Sequence, residues 1–369
     1  GALVLLVQST NLIMIFLSIE LLSITLYVLT GFAYPRLASE EAAMKYLLLG
    51  AFAAGFFVYG IALIYGATGT DDLAAIGRVA VAQPTTAADI TLLLIGSGLV
   101  LVAFGFKIAL APFHMWTPDV YEGAPTPVAA FMSVATKGAA LAALLRILVL
   151  ALPTLQEYWV PVLGGMAVLT MVIGNIGAIA QTNVKRMLAY SSIGHAGYIL
   201  LGVMAMSDRG TEAFLFYLFI YTLANLGAFA VVITLEQRNE SAWSLDDFSG
   251  LWQRQPLLAV AMAVFMVSLA GVPPTAGFMG KFFLFSAAWE SGLGALALAG
   301  VLTSAIAAFF YLRVVVRMFM HEPVREVQPM LYRGLTVSIA VAVIGTVLFG
   351  LIPMPILNLA QQSVLAAGL

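Results

Sequence analysis

The chain has 369 residues, 62% of them hydrophobic and 9% charged, with a formal net charge of -2 and a mean hydropathy of +1.03. Globular domains are roughly 45–50% apolar and about 25% charged, so this composition excludes a water-soluble particle and reads as an integral membrane protein. The absence of cysteine excludes disulfides, thiolate metal sites, iron–sulfur ligation and thiol catalysis, and near-neutral charge without a long basic run gives no footprint for nucleic acid.

A bilayer core about 30 Å thick takes about 20 mostly apolar residues per helical span. Gly1 leads straight into Ala2–Val7, which reads as the tail of an earlier helix, so an upstream part is expected. No charged leader with a small-residue cleavage site opens the chain, so no signal peptide is expected. Ten spans are expected, at about 11–32, 42–66, 88–112, 127–151, 160–181, 187–206, 212–236, 256–290, 292–319 and 334–352. The third is followed by Pro112 and Pro118, which predicts a break before the chain turns at Pro125. The eighth is too long for one straight span, and Gly271-Val272-Pro273-Pro274 interrupts it. A membrane tolerates such a break only where protein or water satisfies the freed backbone groups. Residues 354–369, with Gln361 and Gln362, read as a short interfacial helix. Long continuous runs, in place of alternating segments of about ten residues, exclude a β-barrel. The fold class is therefore all-α and polytopic, with about ten transmembrane helices.

Short-loop Lys and Arg set orientation. Arg36, then Lys185 and Arg186, then Arg238 and Arg254, then Arg325 and Arg333 fall on one side, against only Arg78 and Arg209 on the other. The first group is expected to be cytoplasmic, which starts the first span outside and leaves the C-terminus outside. The two broken spans lie five helices apart. Five being odd, equivalent helices would cross in opposite directions, as in an inverted repeat.

Of the five lysines (Lys45, Lys107, Lys137, Lys185 and Lys281), only Lys185 sits clearly in a loop. A charge at mid-span costs at least about 2.5–3.5 kcal/mol on insertion scales, so such residues face a bundle interior or a wet cavity and mark ion or proton paths. Glu20 is central in the first span and Lys137 in the fourth; Lys107 and Lys281 sit beside the two breaks. One explanation is buried ion pairs that fix helix register. The other is a relay, in which burial and a nearby carboxylate bring lysines into the range where protons hop. One carboxylate and three lysines on four helices, two of them broken, favour the relay. Lys45, near the cytoplasmic start of its span, has a stem long enough to snorkel. Arg146, Arg313 and Arg317 approach span ends, where they are expected to snorkel or pair. His114, beside the first break, and His195, between Gly194 and Gly197, are relay or support candidates because neutral imidazole donates and accepts. Close helix packing is the competing role, above all for His195. His321 lies in a loop. Ligand spacing for a metal or haem, a phosphate-cradling Gly loop and a Ser-His-Asp set are not found.

The string Phe104-Gly105-Phe106-Lys107 and the run Ala111-Pro112-Phe113-His114-Met115-Trp116-Thr117-Pro118-Asp119-Val120-Tyr121-Glu122-Gly123-Ala124-Pro125-Thr126-Pro127 closely resemble the subunit N family of bacterial NADH-quinone oxidoreductase, respiratory complex I. Three further strings match in order: Gln181-Thr182-Asn183-Val184-Lys185-Arg186 running into Tyr190-Ser191-Ser192-Ile193, then Ser268-Leu269-Ala270-Gly271-Val272-Pro273, then Gly277-Phe278-Met279-Gly280-Lys281-Phe282. The wider family includes the other antiporter-like subunits of complex I and the large subunits of multisubunit Na+/H+ antiporters. Lysine at 281 favours subunit N, since its nearest sister subunit typically carries glutamate there.

The resemblance implies inverted five-helix repeats with one broken helix each: a first repeat at 1–151 lacking its N-terminal part, a second at 152–320, and a last helix with a tail at 321–369. Each repeat would hold a half-channel, and buried charges would join them. Glu20 matches the family glutamate, Lys107 its partner on the first broken helix, Lys137 the connecting lysine and Lys281 the terminal lysine on the second. Closing the Glu20–Lys107 pair would hold the lysine's proton and opening it would release the proton onward. The chain departs from the family in starting partway through its usual set of spans. The implied function is proton translocation in a bacterial plasma (inner) membrane. It would be coupled to electron transfer from NADH to quinone in partner subunits, with NADH, FMN, iron–sulfur clusters and quinone bound there and none by this chain. Expected partners are neighbouring antiporter-like membrane subunits, the peripheral redox arm and the lipid bilayer. Two other readings stay open: a multisubunit Na+/H+ antiporter subunit, and a structural spacer whose charges only hold helices together.

Overall fold

The structure, a computed structural model, describes residues 1–33, 35–82, 87–236, 243–324 and 332–367. Arg238 and Arg325, used above for orientation, lie outside the described residues. In chain order the helices are α1 (Ala2–Gln8), α2 (Leu12–Thr30), α3 (Leu37–Thr68), α4 (Leu73–Ala82), α5 (Ala87–Ile108), α6 (Trp116–Gly123), α7 (Thr126–Phe131), α8 (Lys137–Arg146), α9 (Gln156–Ile179), α10 (Val184–Met204), α11 (Asp208–Leu235), α12 (Leu251–Arg254), α13 (Pro256–Ala270), α14 (Ala276–Glu290), α15 (Gly294–Met320), α16 (Arg333–Leu351) and α17 (Met354–Ala367). Met132–Thr136 and Ile147–Ala151 are π-helical and join α7 and α8 into one span, Thr126–Ala151. Wide turns of this kind often occur at functional positions, and here one ends directly before Lys137.

Nine helices among the described residues are long and apolar enough to cross a membrane. They answer to nine of the ten expected spans, and the tenth, at 256–290, is the pair α13 and α14. α17 falls where the interfacial helix was expected, whereas α4 was not foreseen.

Both breaks are present. α5 stops at Ile108, short of the expected 112, because Ala109 takes a left-handed backbone (φ 67°) and Pro112 has no N–H with which to continue a helix. The freed groups are taken up locally: Leu110 N–H donates to Gly105 O (2.8 Å) and Ala111 N–H to Thr170 Oγ1 (2.8 Å). In the second break Gly271, also left-handed (φ 84°), ends α13, and Gly277 N–H at the start of α14 donates to Ser268 Oγ (3.1 Å). The left-handed region carries no steric cost for glycine.

α10 lies at the centre, packed by α9, α11, α6 and α14, and nearly all of it is buried. Small residues allow this approach. A Cβ on Gly174 of α9 would lie 2.4 Å from Gly194 N, and one on Gly197 would lie 2.7 Å from Met171 Cγ. The close packing expected around His195 is thus observed.

The same local device occurs at two places in the chain, after α1 and after α9. Asn11 caps α2, its side chain accepting from Ile13 and Met14 N–H; Asn183 caps α10, accepting from Lys185 and Arg186 N–H. Each asparagine also forms an isolated antiparallel bridge to a later loop, Asn11 with Asp72 and Asn183 with Ser244. The interval from Asn11 to Asn183 equals that from Asp72 to Ser244. Each pair then leads into a broken helix, α5–α6 in the first half and α13–α14 in the second.

Candidate functional site

Four lysine ammonium groups are buried inside this scaffold, and the three expected from sequence to form a relay, Lys107, Lys137 and Lys281, are each held by neutral oxygen. Lys107, in the last turn of α5, is 4% exposed; its Nζ donates to Ser23 Oγ on α2 (2.8 Å) and lies 3.5 Å from Tyr46 OH on α3. Tyr46 stacks on Trp116 (ring centroids 4.6 Å apart, planes at 12°), whose Nε1–H donates to Phe106 O (3.0 Å). The first residue after the break therefore holds the tyrosine beneath Lys107.

Lys137 is 3% exposed and donates to Ser192 O (3.0 Å) and Ser192 Oγ (2.7 Å) on α10. Lys281, 5% exposed on α14, donates to Leu269 O (2.8 Å), Ala270 O (3.0 Å) and Ser304 Oγ (2.7 Å). Two of its acceptors are carbonyls at the C-terminal end of α13, left free by the break. A helix end concentrates negative partial charge there, which suits a cation. A cavity of about 530 Å³ opens beside Lys281, running along α14 past Phe285 and Ser286 to Glu290.

Glu20 is half-buried on α2, one helical turn before Ser23. No ion pair joins it to Lys107 among the described residues, although each lies in the other's electrostatic field. The Glu20–Lys107 pair expected from sequence is thus seen separated, with Ser23 as the lysine's partner. No carboxylate lies within 4 Å of Lys107, Lys137 or Lys281 among the described residues; the six ion pairs found there involve Lys45, Arg186, Arg209 and Arg317. The buried-ion-pair explanation for the three lysines therefore finds no counterpart in the geometry.

The second-rank residues separate clearly. Lys45 belongs to a surface network, pairing with Glu41 (2.8 Å) and Asp119 (2.8 Å), while Arg186 pairs with Asp119 (2.8 Å) and Glu122 (2.8 Å). His114 is half-buried in the first break, beside the Pro112 backbone and within reach of the Lys137 charge. His195 is 3% exposed and held through both ring nitrogens. Arg146 and Arg313 bind backbone carbonyls at span ends, as expected.

Lys185 requires a correction. It is not a loop residue but a fully buried one in the first turn of α10, its Nζ donating to Ala124 O (2.6 Å) and lying 4.2 Å above the Trp243 ring. The Arg36 guanidinium lies 4.4 Å from the same ring, and Trp243 Nε1–H and Thr126 Oγ1–H both donate to Glu236 Oε1. This charge is enclosed by segments far apart in the chain, which no local pattern reveals. Sequence reading also missed Ser23, Tyr46, Ser192 and Ser304, the oxygens that hold the lysines. Of these, only the Ser191-Ser192 doublet stood inside a string already singled out.

The family described as NADH:quinone oxidoreductase/Mrp antiporter, TM, matches residues 9–307. The chain is 69% identical over 369 residues to NADH-quinone oxidoreductase subunit N of Chloroflexus aggregans, covering 100% of this chain and 76% of the relative. It is 46% identical over 370 residues to subunit N of Mycobacterium tuberculosis, covering 98% and 69%. Among solved structures it is similar to a chain of respiratory complex I from Thermus thermophilus with bound aureothin, at TM-score 0.84 and 39% identity, covering 97% of this chain and 77% of that one. A chain of the Mrp complex from Dietzia sp. gives TM-score 0.86 at 24% identity, covering 98% and 74%; that likeness carries the fold alone.

Proposed function

The chain belongs to the NADH:quinone oxidoreductase/Mrp antiporter membrane family, and from that premise we propose that it translocates protons as an antiporter-like membrane subunit of a complex I-type NADH-quinone oxidoreductase. It is a multi-pass protein of a bacterial plasma membrane, and its partners are the other membrane subunits and the peripheral redox arm. The redox cofactors sit in partner subunits; in this reading FMN, iron–sulfur clusters, NADH and quinone are all bound there.

The observation that carries the reading is the line Lys107, Lys137 and Lys281, three buried ammonium groups on three helices whose hydrogen-bond acceptors are hydroxyls and carbonyls. A buried ion pair resists losing its proton because the partner charge would be left uncompensated. A lysine held by neutral oxygens can give up its proton and strand no counter-charge. Glu20, close enough to act on Lys107 through its field but not bound to it, is placed to bias that first lysine. Proton movement would start at the Glu20–Lys107 end, pass Lys137 and end at Lys281, whose cavity reaches toward Glu290. The division into repeats at 1–151 and 152–320, with 321–369 outside them, belongs to this reading and is supported by the matched asparagine caps and bridges.

Two experiments test it. In the assembled complex, Lys107→Ala or Lys281→Ala should lower the proton-to-electron ratio, and an unchanged ratio in both removes the relay. Mild-detergent affinity purification of the full-length protein from its native membrane should bring down flavin and iron–sulfur subunits. Small membrane subunits without redox centres would instead make it a Na+/H+ antiporter component.

A further inference from the structure

Between Lys137 and Lys281 lies a stretch that no lysine spans. It is filled by aromatic hydroxyls around His195 of α10. His195 Nδ1 is 2.7 Å from Tyr217 OH on α11, and Nε2 is 2.9 Å from Tyr311 OH on α15. Tyr311 OH is in turn hydrogen-bonded to Ser191 Oγ. All four residues are buried, none more than 3% exposed.

The chain of contacts points two ways. Ser191 and Ser192 precede His195 by one helical turn and so share its side of α10, and Ser192 holds Lys137. In the other direction Tyr217 packs on Gly280, the residue before Lys281: a Cβ there would lie 2.6 Å from the Tyr217 ring. The charges of both Lys281 and Lys137 reach the imidazole.

We propose that Tyr217 and Tyr311 are positioning residues of the proton path. They grip His195 by both ring nitrogens, with Nε2 turned to the Ser191, Ser192 and Lys137 side and Nδ1 to the Lys281 side, so that His195 carries protons between the two lysines. This rests on the relay reading given above and assigns its middle section.

The protons balance in the following way. A neutral imidazole has one N–H and one free lone pair, so between two hydroxyls it donates to one and accepts from the other. In the starting tautomer Nδ1–H donates to Tyr217, and Tyr311 O–H donates to Nε2. As a proton reaches Ser191, the serine passes its own to the Tyr311 oxygen and Tyr311 passes its own to Nε2. Nδ1 then releases its proton to the Tyr217 oxygen, and the former Tyr217 hydroxyl proton passes to Lys281 in its neutral amine form, its ammonium proton having already left. One proton enters, one leaves, and each group keeps its count and charge. Only the imidazole tautomer and the hydroxyl orientations have changed. Their return requires the ring to release the tyrosines so that Nε2 can lose its proton and Nδ1 regain one, so the same two hydroxyls also govern the reset.

The test uses the full-length subunit in its assembled complex, reconstituted into lipid vesicles. Tyr217→Phe and Tyr311→Phe should assemble and slow the proton-coupled rate at least roughly tenfold. A positioned proton-transfer group contributes about 10²–10⁴-fold, and water in place of the hydroxyl recovers part of it. Replacing either tyrosine with 3,5-difluorotyrosine keeps ring and hydroxyl but weakens the phenol's hold on its proton. A merely structural tyrosine leaves the pH profile of pumping unmoved, whereas a proton-path tyrosine shifts it. If the Phe variants pump like the parent while Lys137→Ala does not, this inference falls and the relay stands. If Lys137→Ala and Lys281→Ala also pump like the parent, the relay itself falls. If the Phe variants fail to assemble, the fluorinated variants decide, and an unmoved pH profile overturns the assignment.

Discussion

Two regions of the molecule, the proposed first and second halves, share the same asparagine cap and bridge followed by a broken helix, yet they equip that scaffold differently. In the first half α2 offers Glu20 and Ser23 to Lys107. At the interval that relates Asn11 to Asn183, the α10 residues answering to Glu20 and Ser23 are Ser192 and His195. The second half thus carries no carboxylate at that level. Its α10 instead supplies an oxygen that holds Lys137 and an imidazole within reach of Lys281. A carboxylate near the bilayer middle is costly, and in the proposed relay Glu20 stands at one end of the line, where it would bias Lys107. Neutral groups that both donate and accept serve the interior. A common backbone sets where protonatable groups stand, and in the proposed relay the choice of side chain would set whether each holds charge or passes it.

The largest expected difference between the halves lies at their breaks. A Cβ on Gly277 would lie 1.9 Å from Ser268 O, a backbone atom, whereas one on Gly105 would meet only side-chain atoms, Phe113 Cδ2 at 2.8 Å and Met166 Cε at 3.1 Å. Gly277→Ala should cost about 3 kcal/mol or more, the upper end for overpacking, and Gly105→Ala about 1 kcal/mol. The yield and thermal midpoint of the detergent-solubilised complex would read this out, and equal losses would mean that the two breaks are not built differently.

A smaller effect is expected at the lysine holders. Ser192→Ala removes a 2.7 Å hydrogen bond from Lys137 and leaves only a carbonyl, a loss of about 2 kcal/mol for a bond to a charged group. Ser23→Ala should cost less, since Tyr46 OH and the Glu20 field remain near Lys107. Pumping and thermal stability should both rank the variants in that order; the reverse order would show that Glu20 does not support Lys107.

The smallest effect concerns the caps. Asn11→Ala should cost about 1 kcal/mol, as helix caps do. Asn183→Ala should cost somewhat more, because Asn183 Nδ2 also donates to Glu122 Oε1 (2.9 Å). Thermal unfolding of the two variants side by side measures the asymmetry, and a larger loss at Asn11 would refute it.

How far the molecule was legible in its sequence follows from the range of the forces involved. Spans and breaks come from local hydropathy and from Gly271, Pro112, Pro273 and Pro274, so nine spans and the divided tenth were readable. Lys107, Lys137 and Lys281 were readable because a lysine in an apolar run is costly wherever it points. What holds them was not. Ser23, Ser192 and Ser304 are ordinary polar residues in a helix until another helix brings an ammonium to them. Tyr217 and Tyr311 look like any aromatic residue in an apolar run, and their significance comes from an imidazole on α10. Lys185 was misread because its position beside Asn183 and Arg186 resembles a loop edge, whereas its enclosure comes from Trp243 and Ala124, distant in sequence. α4 was passed over because it is too short for a span.

The grip on Lys281 also has a mechanical side. An ammonium has three hydrogens, and Lys281 has three acceptors: Leu269 O, Ala270 O and Ser304 Oγ. The neutral amine has only two hydrogens to offer. In the proposed relay a departing proton would leave a lone pair on the nitrogen, and Ser304, the one of the three acceptors that also carries a hydrogen, can turn its hydroxyl to fill it, so both carbonyls keep their donors. The proton count on a single nitrogen would in this way be recorded in the direction of one hydroxyl, while the helix end across the break stays in place.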